Sequence, residues 1–318
     1  MKIHPFRISL LGLSLMIPAA LCAVILFLVL YSGPAILING LHFIVDIHWN
    51  LGNLYGEPVV VNGIQVPDGA SYGILVFIVG TLLTSGIAIL IAVPLSVGAA
   101  IFLAEAVPQI QRRLPKWVPP IRPILAMLVE LLAVVPSVVF GLWGIAVLIP
   151  FLAAYVSPTG GGYGLLAASL VLALMITPFI ASTLLDALLQ VPKENRESAF
   201  ALGCTQFEVV VKAMMPMVRT TLFGGIVLAL GRALGETMAV LMVSGGGINI
   251  LPTSLFSPIS TMASFIVGQL DSAESDPTNM SVRALSEIAL VLFIITLAVN
   301  AGAKLLTSGA LNVRKRQS

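Results

Sequence analysis

An arginine and a glutamate lie four residues apart in an apolar stretch of the chain, at Arg232 and Glu236. On an unbroken helix this spacing puts both side chains on one face, where they can form an ion pair. Such a helix would carry Arg232 ~20 Å beyond Arg219, to a depth at which a guanidinium must face the protein interior or water. Its planar fork suits bidentate binding of oxyanion oxygens. The two residues therefore either form a transient cationic stop for an oxyanion, with Glu236 preventing a permanent trap, or only fix helix packing.

Two further polar residues, Glu130 and Ser137, lie in an earlier apolar stretch, residues 121–150. Their seven-residue spacing puts them on one face of a continuous helix. The pair is therefore expected to line the same path, unless Glu130 only hydrogen-bonds to a neighbouring helix.

Other kinds of chemistry are excluded by motifs that the sequence lacks. It contains no G-x-x-x-x-G-K-[ST] phosphate loop, so we expect no ATP hydrolysis by this chain and no enzymatic activity of its own. The three histidines are remote from Cys22 and Cys204, and no metal site, catalytic residue or cofactor is predicted.

Membrane helices must position these residues, because the composition excludes water as the main solvent. Of 318 residues, 58% are hydrophobic and 9% charged, whereas soluble domains have ~25% charged residues. Several apolar blocks exceed the ~20 residues that a helix needs to cross a bilayer. We therefore predict an all-α membrane protein with about six transmembrane helices, near residues 8–32, 72–106, 121–150, 163–190, 217–244 and 283–308.

The basic residues predict how these spans are oriented. With six spans, every Lys and Arg except Arg232 and Arg283 falls on the side of the two termini. The positive-inside rule assigns that side to the cytoplasm. Both termini are therefore expected to be cytoplasmic, while the opposite loops carry only acidic charge, in residues 33–71, 151–162 and 245–282.

The cytoplasmic segment 191–219 is too long for a tight connection between two spans. Pro192 predicts the start of a short helix and Gly203 its end, and Thr205 can cap a second short helix that runs to Met215. The segment either docks into a groove of a cytosolic partner or rests on the lipid headgroups. Docking would use its apolar residues Val191, Ala199, Leu202 and Phe207.

The same segment resembles the EAA signature of bacterial ABC importer permeases, E-A-A-x-x-x-G followed after nine residues by I-x-L-P. Its spacing is matched by Glu197, Ala199, Gly203 and Pro216. The departures from the usual Ala, Ile and Leu are Ser198, Ala213 and Met215. In that family the segment fits a cleft of the ATPase subunit, so the resemblance implies that the four matching residues couple this chain to an ATPase.

Three stretches narrow the resemblance to PstC-type permeases of the phosphate-specific importer: PSVVFGLWG from Pro136, AFALGCT from Ala199 and GRALGETMA from Gly231. The likeness runs from about Gly73 onward. It implies the type I ABC importer permease (MetI-like) fold in the bacterial cytoplasmic membrane. The implied partners are a homologous second permease, two cytosolic ATPase subunits and an extracytoplasmic phosphate receptor, without nucleic acid.

Two rival functions stay open at this point. Arg232 would suit a permease for sulfate, molybdate or phosphonate equally well. An ATP-independent transporter or channel is the other rival, but it would have no need of the coupling motif.

The external loops favour delivery of the anion by a receptor, because their carboxylates would repel free phosphate within a Debye length of ~8 Å. Residues 32–71 and 245–282 are long enough to dock a receptor. Trp49 and Tyr55 are then either docking anchors or ordinary interfacial aromatics. We expect two units: an N-terminal span with its external loop, 1–71, and a transmembrane core, 72–318, which contains the coupling segment.

Overall fold

The computed structural model describes residues 5–115, 117–158 and 160–315. Lys2, Lys116 and Arg316, which contributed to the predicted orientation, lie outside these residues. As predicted, six helices in the described chain are long and apolar enough to cross a membrane: Gly12–Asn39, Leu75–Arg113, Ser137–Tyr155, Leu165–Leu189, Gln206–Leu234 and Met280–Leu305.

The secondary structure is mostly helical, with two small β-pairs near the N-terminal end. The elements are α1 (Pro5–Asn39), α2 (His42–Val45), β1 (Trp49–Asn50), β2 (Val59–Val61), β3 (Ile64–Val66), β4 (Ser71–Tyr72), α3 (Leu75–Ile101), α4 (Val107–Arg113), α5 (Ile121–Val134), α6 (Ser137–Trp143), α7 (Ile149–Tyr155), α8 (Leu165–Leu189), α9 (Lys193–Ala201), α10 (Gln206–Glu208), α11 (Met215–Leu234), α12 (Met238–Val243), α13 (Met262–Glu274) and α14 (Met280–Lys315). Three π-helical turns join α3 to α4, α6 to α7 and α10 to α11, at Phe102–Ala106, Gly144–Leu148 and Val209–Met214.

Helix α8 forms the centre of the bundle. It is apolar on all sides, as expected of a helix surrounded by others, and 67% of its most apolar window is buried. It packs against α3, α5 and α11. Small residues on α3 permit close approach: Ala88 and Ala92 pack with Leu172 and Ile176. The interface is also fixed by a hydrogen bond that Ser96 Oγ donates to the Thr177 carbonyl, 2.9 Å.

Two predicted spans are interrupted. The third breaks at Val135–Pro136, between α5 and α6, because a proline disfavours helical geometry in the residue before it. The fifth begins at Gln206 but ends at Leu234, and the chain resumes a helix only at Met238. Each of these two spans is therefore a pair of helices rather than the single helix that was predicted.

The loops that are predicted to be external are more ordered than the sequence indicated. Strand β1 pairs with β4, β2 pairs with β3, and α13 occupies much of the loop 245–282. Trp49 is 5% exposed and makes edge contacts with Tyr72 and Phe265, at ring-centroid distances of 5.1 and 5.0 Å. The interpretation of Trp49 as a docking anchor is therefore wrong, whereas Tyr55 is 98% exposed.

A buried polar network holds the start of α14. The Asp276 carboxylate accepts hydrogen bonds from the backbone and hydroxyl of Thr278, at 2.8 and 2.7 Å. It accepts two more from the backbone and hydroxyl of Ser281, at 2.9 and 2.8 Å. Burial alone would raise the pKa of Asp276, but these hydrogen bonds outweigh it and lower the pKa. Burial raises the pKa of Tyr72, whose hydroxyl hydrogen-bonds to Ser281, to about 12.

Candidate functional site

The short helix α9, which is predicted to be cytoplasmic, forms where the sequence predicts it. Pro192 precedes its first residue and Glu194 lies in its first turn, where the helix dipole favours a carboxylate. The helix ends before Gly203, whose φ of +81° is accessible to glycine without strain. The Gly203 and Cys204 amides donate to the carbonyls of Phe200 and Ala199, which closes the C-terminus.

The exposed apolar surface of this segment differs in part from the predicted one. Val191 and Ala199 are buried in the cluster beneath α9, so neither can contact a cytosolic partner. Leu202 and Phe207 are 84% and 75% exposed, and Phe200 is exposed beside them. The exposed apolar surface of this segment is therefore formed by Phe200, Leu202 and Phe207.

The predicted second short helix is not a separate element. Thr205 forms a capping box with Glu208 at the start of α10, as its sequence position suggested. From there the chain continues without a break through the π-helical turn into α11. Pro216 lies near the start of α11, inside this continuous helix, and so does not separate a docking helix from the fifth span.

An ion pair that the sequence analysis missed joins α9 to the second span. Arg196 Nη2 donates to Glu105 Oε2 at 2.6 Å, and Glu105 is only 6% exposed. The two residues line a cleft of about 740 Å³ together with the basic residues Arg112, Arg122 and Lys193 and with Glu197. The one available signal was a carboxylate near the end of a long apolar helix, a position where charge is costly.

Within the membrane region, Arg232 and Glu236 do not form the predicted ion pair. The helix ends at Leu234, between the two residues, so the i+4 geometry does not exist. Glu236 Oε1 instead accepts a hydrogen bond from the Ala239 amide, 3.2 Å, in the first turn of α12. Arg232 is exposed on this chain, and in the described residues it has no ion-pair partner.

Glu130 and Ser137 lie on different helices, so the predicted shared face is also wrong. Glu130 is exposed on α5, whereas Ser137 is half-buried and opens α6. The cause is again the break at Val135–Pro136.

The two helix breaks lie at the same end of a packed helix pair. A Cβ on Gly141 would meet the Met242 sulfur and the Ala239 Cα, and a Cβ on Gly144 would meet Val243. From Gly141 to Gly144 along α6, the facing residues move from Ala239 and Met242 to Val243 along α12. The two helices therefore run parallel. Ser137 and Glu236, which precede these contacts, are therefore brought to one end of the pair, and Arg232 lies in the last turn of α11, before the break.

A second buried carboxylate in the membrane region was also missed. Glu287 on α14 is 5% exposed and accepts a hydrogen bond from Asn39 Nδ2 at 3.0 Å. It ties the end of α1 to α14 rather than facing the two breaks. No cluster of metal-ligating side chains occurs in the described residues.

Comparison with protein families matches residues 97–308 to the family described as binding-protein-dependent transport system inner membrane component. The match includes α9, both helix breaks and most of α14.

Curated relatives extend the match over most of the chain. A protein of Mycobacterium tuberculosis named "Phosphate transport system permease protein PstC 1" is 45% identical over 294 residues, which cover 87% of this chain and 84% of that protein. A Pasteurella multocida protein named "Phosphate transport system permease protein PstC" is 37% identical, covering 89% and 88%.

The fold resembles solved permease structures at low identity. An inward-facing MetNI methionine ABC transporter aligns with a TM-score of 0.55 and 17% identity, over 72% of this chain and 92% of that chain. A bacterial alginate ABC transporter aligns with a TM-score of 0.52 and 15% identity, over 74% and 80%. The helix arrangement is thus that of MetI-type importer permeases.

Proposed function

This chain belongs to the family of binding-protein-dependent transport system inner membrane components and, within it, to the PstC-type permeases, and from this membership we propose that it imports inorganic phosphate across the cytoplasmic membrane. The observation that carries the proposal is the 45% identity to a phosphate permease over 87% of the chain. Residues 1–71 would form an N-terminal span with its external loop, attached to a transport core of residues 72–318.

As a permease of an ABC importer, the chain acts with a further permease, ATPases and a substrate-binding protein. We assign it a homologous second permease, two cytosolic ATPase subunits and a phosphate-binding receptor. ATP hydrolysis would then take place on the partner subunits. The exposed residues Phe200, Leu202 and Phe207 suit a contact with the ATPase, and Glu197, Ala199, Gly203 and Pro216 would set the shape of the segment that carries them.

The proposed route for the anion passes the two helix breaks. Interrupted membrane helices are typical of transporter binding sites, because their ends expose backbone polar groups inside the bilayer. Arg232 lies beside one break and is not paired with Glu236, one oxygen of which accepts from the Ala239 amide. The guanidinium is therefore available to a passing oxyanion, with Ser137 at the other break, and Glu130 would lie nearer the cytoplasm.

We propose that both termini face the cytoplasm, which leaves the acidic loops outside. Tyr55 and the neighbouring exposed strand β2 then project toward the receptor, whereas Trp49 packs inside the fold against Tyr72 and Phe265.

The function is tested by uptake of radiolabelled phosphate into cells that lack their own high-affinity system and express this chain with its partner subunits. The proposal is supported if unlabelled sulfate and molybdate do not inhibit the uptake of radiolabelled phosphate. Competition by either anion would instead make this a permease for another oxyanion.

A further inference from the structure

The contact between Glu105 and Arg196 joins two parts of the molecule that the chain does not join directly. Helix α9 follows α8 after a short connection, whereas Glu105 belongs to the π-helical turn of the second span. In the described part of the chain this is the one ion pair that connects α9 to another helix. A movement of α9 can therefore reach the second span through this contact.

The π-helical turn explains why a carboxylate lies at this place. Ala100, Leu103, Ala104 and Val107 form the buried stripe by which this part of the second span packs beneath α9. The turn at Phe102–Ala106 is π-helical, with the Val107 amide bonded to the Phe102 carbonyl five residues back, so it holds more residues than an α-helical turn. The extra residue widens the buried face enough to include Glu105.

The carboxylate is only half satisfied in this conformation. Glu105 Oε2 accepts from Arg196, but Glu105 Oε1 is buried and has no hydrogen-bond partner in the described residues. A buried oxygen of this kind is unfavourable, and a guanidinium can bind both oxygens of a carboxylate at once. A small shift of α9 along the second span would therefore complete the pair.

We propose that Glu105 and Arg196 form the link through which α9 moves the second span when the partner ATPases close. Arg196 binds one carboxylate oxygen of Glu105 in this conformation and both oxygens in the nucleotide-bound conformation. Glu105 is thus a positioning residue, which acts through Arg196 and contacts neither ATP nor the transported anion. The inference rests on the proposed function, because it takes α9 to be the element that contacts the ATPases.

The test uses the complete importer, reconstituted with its receptor, and compares receptor-stimulated with basal ATP hydrolysis. Glu105→Gln and Arg196→Gln should each lower the stimulation about fivefold or more, the usual range of coupling between sites. The double variant should be no worse than either single one, because both remove the same contact. Lys212→Gln is the matched control, since it breaks the exposed Lys212–Glu208 pair of the same segment and should leave the stimulation unchanged.

A distance measurement tests the link without reference to the substrate. Spin labels at the exposed positions Ser198 and Arg113, in a background with Cys22→Ser and Cys204→Ser, report the separation of α9 and the end of the second span. With Glu105 intact, the distances should stay narrowly distributed with and without trapped nucleotide, and Glu105→Gln should broaden them.

Unchanged stimulation and unchanged distances in Glu105→Gln would overturn the proposal. Loss of the ATPases from the purified variant would overturn it too, because the pair would then serve only docking. If the wild-type importer moves no phosphate, the proposed function fails, and the distance measurement still decides the link.

Discussion

Replacement of Arg232 by Gln tests the proposed anion route most directly. The substitution keeps a polar side chain of similar length but removes the charge and the planar fork. Arg232 is exposed on this chain and makes no ion pair in the described residues, so its loss leaves no buried partner uncompensated. Abundance and assembly are therefore expected to equal those of the wild type.

The size of the effect follows from the bonds that the guanidinium would make. Hydrogen bonds to a charged group contribute ~1.5–3 kcal/mol, which is a factor of roughly 10 to 150 in rate. Arg232→Gln should lower phosphate uptake by about that factor. Arg232→Lys should retain part of the activity, because it keeps the charge without the bidentate geometry.

Glu236 provides the comparison that separates transport from packing. Glu236→Gln keeps an oxygen that can accept from the Ala239 amide, so we expect a smaller loss of uptake than for Arg232→Gln. Because the two charges are not paired here, the double Gln variant should resemble Arg232→Gln alone. A packing pair would behave differently, since removing both charges often restores what removing one destroys.

The assay is radiolabelled phosphate uptake at matched membrane abundance, with Arg219→Gln as a control at the opposite end of the same helix. The control should transport at the wild-type rate. The route through Arg232 is refuted if Arg232→Gln also does so, or if the double Gln variant recovers uptake that the single variant has lost.

Three further predictions concern coupling, topology and stability. Replacing Glu197 and Gly203 together should abolish receptor-stimulated ATP hydrolysis while the protein still inserts, because a side chain at φ +81° strains the end of α9; unchanged stimulation would contradict the docking role. Cysteines at Asp68 and Asp271 should react with an impermeant thiol reagent from outside and those at Arg113 and Arg314 should not; the reverse pattern would invert the orientation. Asp276→Asn should lower the free energy of unfolding by about 2 kcal/mol, measured by denaturation in detergent, because an amide nitrogen cannot accept the bonds made to one carboxylate oxygen. The pKa of Asp276 is lowered on folding, so its contribution to stability is present above the unfolded pKa of ~3.9 and is lost as the pH falls through the folded pKa. The difference in unfolding free energy between wild type and Asp276→Asn should therefore be constant from about pH 5 to 8. A difference that fades within that range would count against the network.

The spans could be predicted because length and apolarity are local properties of the sequence. The short helix α9 was equally local, since Pro192 and Gly203 mark its two ends. The break at Pro136 carried a readable signal, because the residue before a proline avoids helical geometry. The break after Leu234 carried no such signal, because a glycine such as Gly235 suits a closely packed helix as well as a helix end.

The errors at the candidate site arise from contacts between distant parts of the chain. Glu105 becomes a partner of Arg196 only because a π-helical turn rotates it inward, and no sequence pattern marks that turn. Trp49 is buried by Phe265, which lies far along the chain. The Arg232–Glu236 pair was inferred from a helix assumed to be continuous, so one unforeseen break removed it.

The peripheral position of α1 has a consequence for biosynthesis. None of its most apolar window is buried within the chain, and its main neighbour is α14. Of the six long apolar helices in the described residues, the first along the chain thus pairs with the last, and the hydrogen bond from Asn39 to Glu287 can form only after the helices between them have been synthesised. Until then α1 lies in lipid without its contact to α14. Its apolar surface makes this position stable while the helices around α8 assemble.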